Sequence, residues 1–284
     1  MIAAYGEARQ DFSYNLRSKI QRVASNFASK SGWRSFNPQD FQIRHLRVNI
    51  PNLAPVFHNY LIVHISDIHY GQWVSSERLE GIITLINQNH PDAVAITGDF
   101  VSYLLNKSIE DELAAQLKKL QTKDGVFAVL GNHDHWAGAQ RVKDILKKSN
   151  IIDLDNDIYE INREGFKLIF AGVDSVMMKK AQLDQVLEKI PPKDPAILLV
   201  HEPDFALTTA STKRFNLQLS GHSHGGQFYI PGLGTPFRDN YTLHYPHGLY
   251  NVGDMTLFTN TGLGTNSYWL RINCPPQIAT INLV

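Results

Sequence analysis

Leu61-Ile62-Val63-His64-Ile65-Ser66-Asp67-Ile68-His69 is the stretch on which the fold turns. Its first five residues form a short apolar run that predicts a buried strand, and the run stops directly in polar, metal-competent side chains. The same arrangement recurs downstream. Leu79, Ile82, Ile83 and Ile86 repeat along one helical face, after which Ala93 to Thr97 forms a second apolar run that leads into Gly98-Asp99. Val126 to Leu130 leads into Gly131-Asn132-His133-Asp134, Ala196 to Val200 into His201, and Leu217 to Leu219 into Gly221-His222-Ser223-His224.

The intervening segments read as crossovers. Leu113, Leu117 and Leu120 predict a helix that a Ser108–Asp111 capping box opens. Val142, Ile145 and Leu146 predict another, and Leu183, Val186, Leu187 and Ile190 a third, with strands near 158–161 and 167–171. Phe41, Ile43, Val48 and Ile50 flank an edge strand ended by Pro51. The later segments are short and rich in Gly and Pro, which favours hairpins over crossover helices. Alternating strands and helices give an α/β fold, in which ligands collect beyond the carboxyl ends of the strands. The five strand ends can therefore meet in space.

Bulk composition narrows the chemistry. With 43% hydrophobic and 19% charged residues over 284, the chain is expected to fold as one large domain, 41–284, behind an extension, 1–40. Lys+Arg and Asp+Glu both number 27, so no general cationic field exists to hold nucleic acid, and no nucleic-acid partner is expected. Cys274 is the only cysteine, which excludes an intrachain disulfide and a thiolate zinc cluster; a small buried apolar role is expected of it. No apolar run is long enough for a membrane span and no secretory leader is evident, so a cytoplasmic setting is expected. Residues 1–40 are locally basic, with Arg9, Arg17, Lys19, Arg22, Lys30 and Arg34. Phe12, Leu16, Ile20, Val23 and Phe27 give this segment one apolar helical stripe, suited either to packing on the domain or to lying on anionic lipid.

In extended backbone, residues two apart point the same way, so Asp67 and His69 are placed to reach one ion, and His222 and His224 repeat the pattern. A lone Asp-x-His carries little weight. Five strand ends that each deliver Asp, Asn or His carry much more. Of the twelve histidines, His45, His58, His64, His90, His244 and His247 are read as surface or satisfied structural residues, and for His135 a structural role is preferred over lining the pocket.

The series Asp67-Ile68-His69, Gly98-Asp99, Gly131-Asn132-His133-Asp134, His201 and Gly221-His222-Ser223-His224 resembles the calcineurin-like metallophosphoesterase superfamily. His201-Glu202-Pro203-Asp204 and Gly225-Gly226-Gln227 further resemble its bacterial branch of YkuE- and YaeI-type phosphodiesterases. The resemblance runs from about Phe41 to the C-terminus. It implies a four-layer α/β/β/α sandwich, with two mixed β-sheets flanked by helices and a dimetal site at the strand ends. It further implies that Asp67, His69, Asp99 and His224 hold one divalent cation and Asp99, Asn132, His201 and His222 a second. Asp99 then bridges ions roughly 3.5–4 Å apart, and a hydroxide between them is the nucleophile.

On the same resemblance, His133 faces the leaving oxygen as general acid, and Asp134 orients its ring and favours its protonated form. Manganese, iron and zinc all suit ligands of this kind, with manganese the first choice. Charge counting leaves the cation pair a net positive charge for a phosphate-ester substrate. The family's protein phosphatases continue the Gly-Asp motif with an acidic residue and an arginine, whereas this chain has Phe100-Val101-Ser102. The lost guanidinium favours a diester or pyrophosphate over a dianionic monoester. One activity implied by the branch is hydrolysis of UDP-2,3-diacylglucosamine in lipid A synthesis, a lipid-linked substrate met at a membrane. A phosphomonoesterase and a non-catalytic, protein-binding scaffold of the same fold are the alternatives. The oligomeric state is not readable from the sequence.

Overall fold

A computed structural model describes residues 35–102, 105–235, 239–265 and 270–284. The strands are β1 (Gln42–Val48), β2 (Leu61–Ile65), β3 (Ala93–Thr97), β4 (Gly125–Val129), β5 (Ile152–Asp153), β6 (Asp157–Arg163), β7 (Phe166–Gly172), β8 (Ala196–Leu199), β9 (Leu217–Ser220), β10 (Gly248–Val252), β11 (Met255–Thr259) and β12 (Gln277–Leu283). The helices are α1 (Ser76–Gln88), α2 (Lys107–Leu117), α3 (Asn132–Lys148), α4 (Leu183–Lys189) and α5 (Ala206–Ser211).

Two six-stranded sheets result, in the orders β1-β12-β2-β3-β4-β5 and β10-β11-β9-β8-β7-β6. In the first, β2 to β5 run parallel, joined through α1, α2 and α3, while β12 inserts antiparallel to β2 and carries β1 as a parallel edge strand. In the second, β7, β8, β9 and β11 run parallel, and β6 and β10 close the edges as antiparallel hairpin partners. Both sheets are mixed, as expected.

Strand alternation explains the layering. Along β2, Ile62 enters the core between the sheets, with Ala95, Phe127, Phe170, Leu199, Leu219 and Phe258, whereas Val63 and Ile65 face α1 to α3 and meet Leu79, Ile82, Leu113 and Val142. A third cluster sets Ile169, Leu198 and Val200 against Val186 of α4 and Ala206 of α5. Every residue of β3 is buried because helices cover one face and the partner sheet the other. The architecture is the α/β/β/α sandwich.

Local expectations fare unevenly. Helix α2 starts earlier than the Ser108–Asp111 reading placed it. Its N-cap is Asn106, whose side chain accepts the Ile109 amide, while Ser108 Oγ turns to Glu112. An amide oxygen one residue before the helix satisfies the orphan amide as well as a hydroxyl does, and so displaces the box. Leu120 lies just past the helix yet still packs on the core. Cys274 is buried, as expected.

His64 is the structural histidine with the largest consequence. It is fully buried, its Nε2 lies 2.9 Å from Thr97 Oγ1, and its ring meets Phe258 edge-on. Burial pushes its pKa down to about 3 from the ordinary 6.5. The unfolded chain therefore takes up a proton below pH 6.5 that the folded chain refuses, so stability is whole above that pH and falls progressively toward pH 3. At about 1.4 kcal/mol per unit, the loss attributable to this ring reaches about 2 kcal/mol by pH 5. His64→Leu should lose about 2 kcal/mol less than the wild type between pH 7 and pH 5 in urea unfolding. Identical slopes in the two proteins would sink this account.

Phe36 packs onto α1, and Ser35 O accepts from Arg78 Nη2 at 2.7 Å, with the Asp40 carboxylate 3.4 Å from the same nitrogen. The chain is thus already seated on the helical layer at Ser35. The stripe of Phe12, Leu16, Ile20, Val23 and Phe27 lies outside the described residues. No helix among the described residues is long and apolar enough to cross a membrane.

Candidate metal centre

The loops that leave β2, β3 and β4 lie side by side because their strands are parallel neighbours. Pairing continues past the strand ends, with the Asp67 amide bonded to Gly98 O and the His69 amide to Asp99 O, both at 3.0 Å. From the second sheet, β8 and β9 deliver His201 and the His222–His224 loop, tied by the Gly221 amide on His201 O at 3.0 Å. All five sequence motifs arrive at one rim.

The backbone that delivers these side chains is not the extended one expected from the Asp-x-His spacing. Asp67, His69, Asp99, His222 and His224 have φ of 51°, 46°, 55°, 67° and 51°, the left-handed region. Such residues cost about 1–3 kcal/mol each and persist where the surroundings fix them, most often at functional sites. Asp67 and His69 still converge, but through a turn. His222 and His224 do not share one cluster; the left-handed turn sends them apart.

Among the described residues, three groups place their donor atoms within 4.8 Å of one another: Asp67, His69 and His224; His69, Asp99 and His133; and Asp99, His201 and His222. His69 Nε2 lies 3.1 Å from His224 Nε2 and 3.6 Å from Asp99 Oδ2, and His224 Nε2 lies 3.3 Å from Asp67 Oδ1. His201 Nε2 is 3.3 Å from Asp99 Oδ2 and 3.2 Å from His222 Nδ1. Asp99 belongs to two of the groups, and His69 links one of these to the third.

Outer contacts fix which ring nitrogens turn inward. His201 Nδ1 donates to Thr97 O at 2.6 Å, so in the neutral ring its Nε2 lone pair faces the cluster, and His69 Nδ1 lies 2.7 Å from Ser102 Oγ with its Nε2 turned inward. His222 is the reverse, with Nε2 on Asp239 Oδ2 at 2.7 Å and Nδ1 inward. Arg271 Nη2 lies 3.3 Å from His224 Nδ1, and its Nε donates to Gly264 O at 3.0 Å. The Leu263 and Gly264 amides in turn bond Ser66 O and Asp67 O. One guanidinium thus secures His224 to the backing of Asp67 and His69.

The donor set fits divalent cations. Asp67 Oδ1 and Asn132 Oδ1 are buried without a hydrogen-bond partner among the described residues, a cost of about 1–3 kcal/mol each unless something electropositive faces them. Electrostatics point the same way. Burial pushes the Asp67 carboxyl up and opposes charge on Asp99, yet the imidazoles of His201, His133 and His69 hold Asp99 well below the usual carboxylate range. Burial opposes charge on His201 too, but Asp99 holds it well above the ordinary histidine value. Asp99 and His201 thus compensate each other as an ion pair, and a cation bound here would take the place of the proton that His201 Nε2 presents to Asp99.

Close packing leaves Gly131 no side chain, since a Cβ there would sit 2.8 Å from His201 Nε2 and 2.7 Å from the Asp99 amide. Asn132 opens α3 directly behind it.

The expected role of Asp134 is corrected. Its carboxylate accepts the amides of Gly131, Asp99, Phe100 and Val101, between 2.8 and 3.3 Å, instead of the His133 ring. A buried acceptor among unpaired amides is satisfied by them first, so Asp134 knits the β3 and β4 loops together. His133 Nδ1 faces Ser102 O at 3.1 Å and its ring meets Trp136 edge-on. Burial lowers the His133 pKa, and Asp99, not Asp134, is the carboxylate that opposes the shift. His135 pairs with Asp174 at 2.6 Å, and the five other histidines assigned to the surface are indeed exposed, unlike His64. Ser102, Asp174, Asp239 and Arg271 were missed as supporting residues; the first follows Asp99 closely, but no spacing or periodicity marks the others.

A profile of the family described as "Calcineurin-like phosphoesterase" matches residues 60–226. The uncharacterized metallophosphoesterase YkuE of Bacillus subtilis (strain 168) is 31% identical over 229 residues, 80% of this chain and 80% of that protein. The uncharacterized metallophosphoesterase Cj0846 of Campylobacter jejuni is 30% identical over 249 residues, 85% of this chain and 63% of its own. Phosphodiesterase YaeI of Escherichia coli (strain K12) is 28% identical over 278 residues, 94% of this chain and 98% of its own. The profile covers more than half of the chain and YkuE matches most of its length, so the protein belongs to the calcineurin-like phosphoesterase family of metal-dependent phosphate-ester hydrolases.

Proposed function

We propose that the chain is a phosphodiesterase that cleaves a diester or pyrophosphate bond with two divalent cations. Asp67, His69, Asp99 and His224 would hold one, and Asp99, Asn132, His201 and His222 the other. The observation that carries this reading is the sharing of Asp99 between donor clusters. Bound there, the cations supply the Lewis acidity that polarises a phosphoryl group and lowers the pKa of water. Manganese is the first metal to test, since the ligands are oxygen and nitrogen with no thiolate.

The chain's own groups do the rest. His133 directs Nδ1 to Ser102 O and would pass a proton from Nε2 to the departing oxygen. Phe100 and Val101 are buried apolar side chains where a monoester-binding arginine would stand, and Arg271 directs donors to carbonyl oxygens. A singly charged phosphodiester suits that lining better than a dianion. YaeI, named a phosphodiesterase, agrees with this choice.

A lipid-linked substrate such as UDP-2,3-diacylglucosamine is the finer reading. It is favoured by Ile230, Leu233 and Leu270, exposed at 43%, 72% and 51% on the segments that follow His224 and precede Arg271. The basic segment 1–40, with its apolar stripe, would assist at an anionic membrane.

Protein supplied with manganese should hydrolyse bis-p-nitrophenyl phosphate faster than p-nitrophenyl phosphate, and a nucleotide-linked diacyl lipid with a lower KM than its deacylated counterpart. Preference for the monoester would make it a phosphomonoesterase; bound metal with no hydrolysis of any ester would make it a scaffold. Removing the residues before Ser35 should weaken binding to vesicles containing phosphatidylserine, and unchanged binding would leave the stripe a packing element.

A further inference from the structure

We infer that Asp239 is a positioning residue that holds the His222 ring with Nδ1 turned toward the Asp99–His201 cluster, on a loop that Asp204 pins in place. The inference rests on the reading that this cluster holds a cation.

The geometry is a chain of direct contacts. Asp239 Oδ2 lies 2.7 Å from His222 Nε2, while His222 Nδ1 lies 3.2 Å from His201 Nε2. An ionised carboxylate only accepts, so Nε2 carries a proton, and in the neutral ring Nδ1 then keeps its lone pair. Without this partner an imidazole chooses between two tautomers and two ring orientations, of which one presents a ligand atom to the cluster. The other oxygen, Oδ1, accepts the Tyr241 amide at 2.9 Å and lies 3.2 Å from Thr242 Oγ1, which fixes the carboxylate itself. The His222 side chain is 7% exposed and that of Asp239 46%, so the aspartate approaches from outside the centre.

The loop carrying Asp239 is anchored to the segment carrying the neighbouring ligand. The Asp204 amide donates to Tyr241 O at 3.0 Å, and the Asp204 carboxylate accepts the amides of His244 and Tyr245, each at 3.0 Å through its shorter contact. Asp204 lies three residues beyond His201. The His201-Glu202-Pro203-Asp204 run therefore supplies one ligand and, through Asp204, steadies the support of another. Glu202 pins the opposite flank by accepting Ser175 Oγ and the amides of Val176 and Met177.

The test is direct metal binding by full-length protein, stripped with chelator and titrated with Mn²⁺ alone. Wild type should bind two ions per chain. Asp239→Ala should weaken one of them by about 10–100-fold, the range typical of an outer hydrogen-bond partner of a metal ligand, and leave the other unchanged. Asp239→Asn keeps an acceptor oxygen and should fall between, and Asp239→Glu should recover part of the loss. Asp204→Ala should weaken the same ion.

A second readout needs no metal. Nitrogen-detected NMR of the His222 ring should show one Nε2-protonated tautomer in the wild type and a mixture in Asp239→Ala, which a merely structural loss would not produce selectively. Two ions bound by Asp239→Ala with wild-type affinity, or an unchanged tautomer, would overturn the inference. Failure of the wild type to bind two ions would instead overturn the cation reading on which it rests.

Discussion

Asp99→Asn should lose both cations and cut phosphodiester hydrolysis by more than about 100-fold, beyond the 10–100-fold range of outer-partner losses. The substitution changes shape very little. Asp99 Oδ1 accepts the His133 amide at 2.9 Å, and Oδ2 lies 3.3 Å from His201 Nε2 and 3.6 Å from His69 Nε2. An asparagine that keeps its oxygen on the His133 amide must turn its NH₂ toward the two imidazoles, where a donor replaces the acceptor that both clusters share. The flipped amide meets the opposite fault, with NH₂ against a backbone N–H. In either pose a single neutral oxygen remains, and the negative charge that would attract both ions is gone. Elemental analysis after dialysis is the measurement. Two ions per chain held at wild-type affinity would show that Asp99 does not bridge, and the dimetal reading would then fail with it.

The sequence disclosed the sheets and the rim more fully than the geometry within the rim. Strands β2, β3, β4, β8 and β9 are legible because both their faces are buried, so burial writes a continuous apolar run bounded by Gly, Asp or His. The loops that follow obey no period. Asp67 and His69 come together, and His222 and His224 come apart, because of left-handed φ values that alternation cannot anticipate and that only the surrounding packing sustains.

Supporting residues were harder still to foresee. Asp239 reaches His222 across 17 positions and Arg271 reaches His224 across 47, from segments that follow no strand run. Asp134 was visible as a residue, but its role was misassigned. Adjacency to His133 suggested a ring partner, whereas the open amides of two converging loops claimed the carboxylate. Sequence proximity identifies chemical type; competition among donors in the folded site decides the contact.

That competition sharpens the expectation for His133. His133→Ala should retain both cations, because the remaining proposed ligands are untouched, while slowing diesters with poor leaving groups by about 10²–10⁴-fold, the usual worth of a positioned acid. Esters of p-nitrophenol need little proton assistance and should lose far less. The ring reaches its task through Nε2, since Nδ1 faces Ser102 O, and its charged form depends on Asp99 against the burial that lowers its pKa. A lowered pKa leaves the acid fully protonated only at low pH, so kcat for an alkyl diester should fall as pH rises through that value. In His133→Ala this limb of the profile should disappear. Equal losses for alkyl and nitrophenyl esters, with the falling limb retained, would assign His133 to shaping the pocket beside Trp136 and require another proton donor at the leaving oxygen.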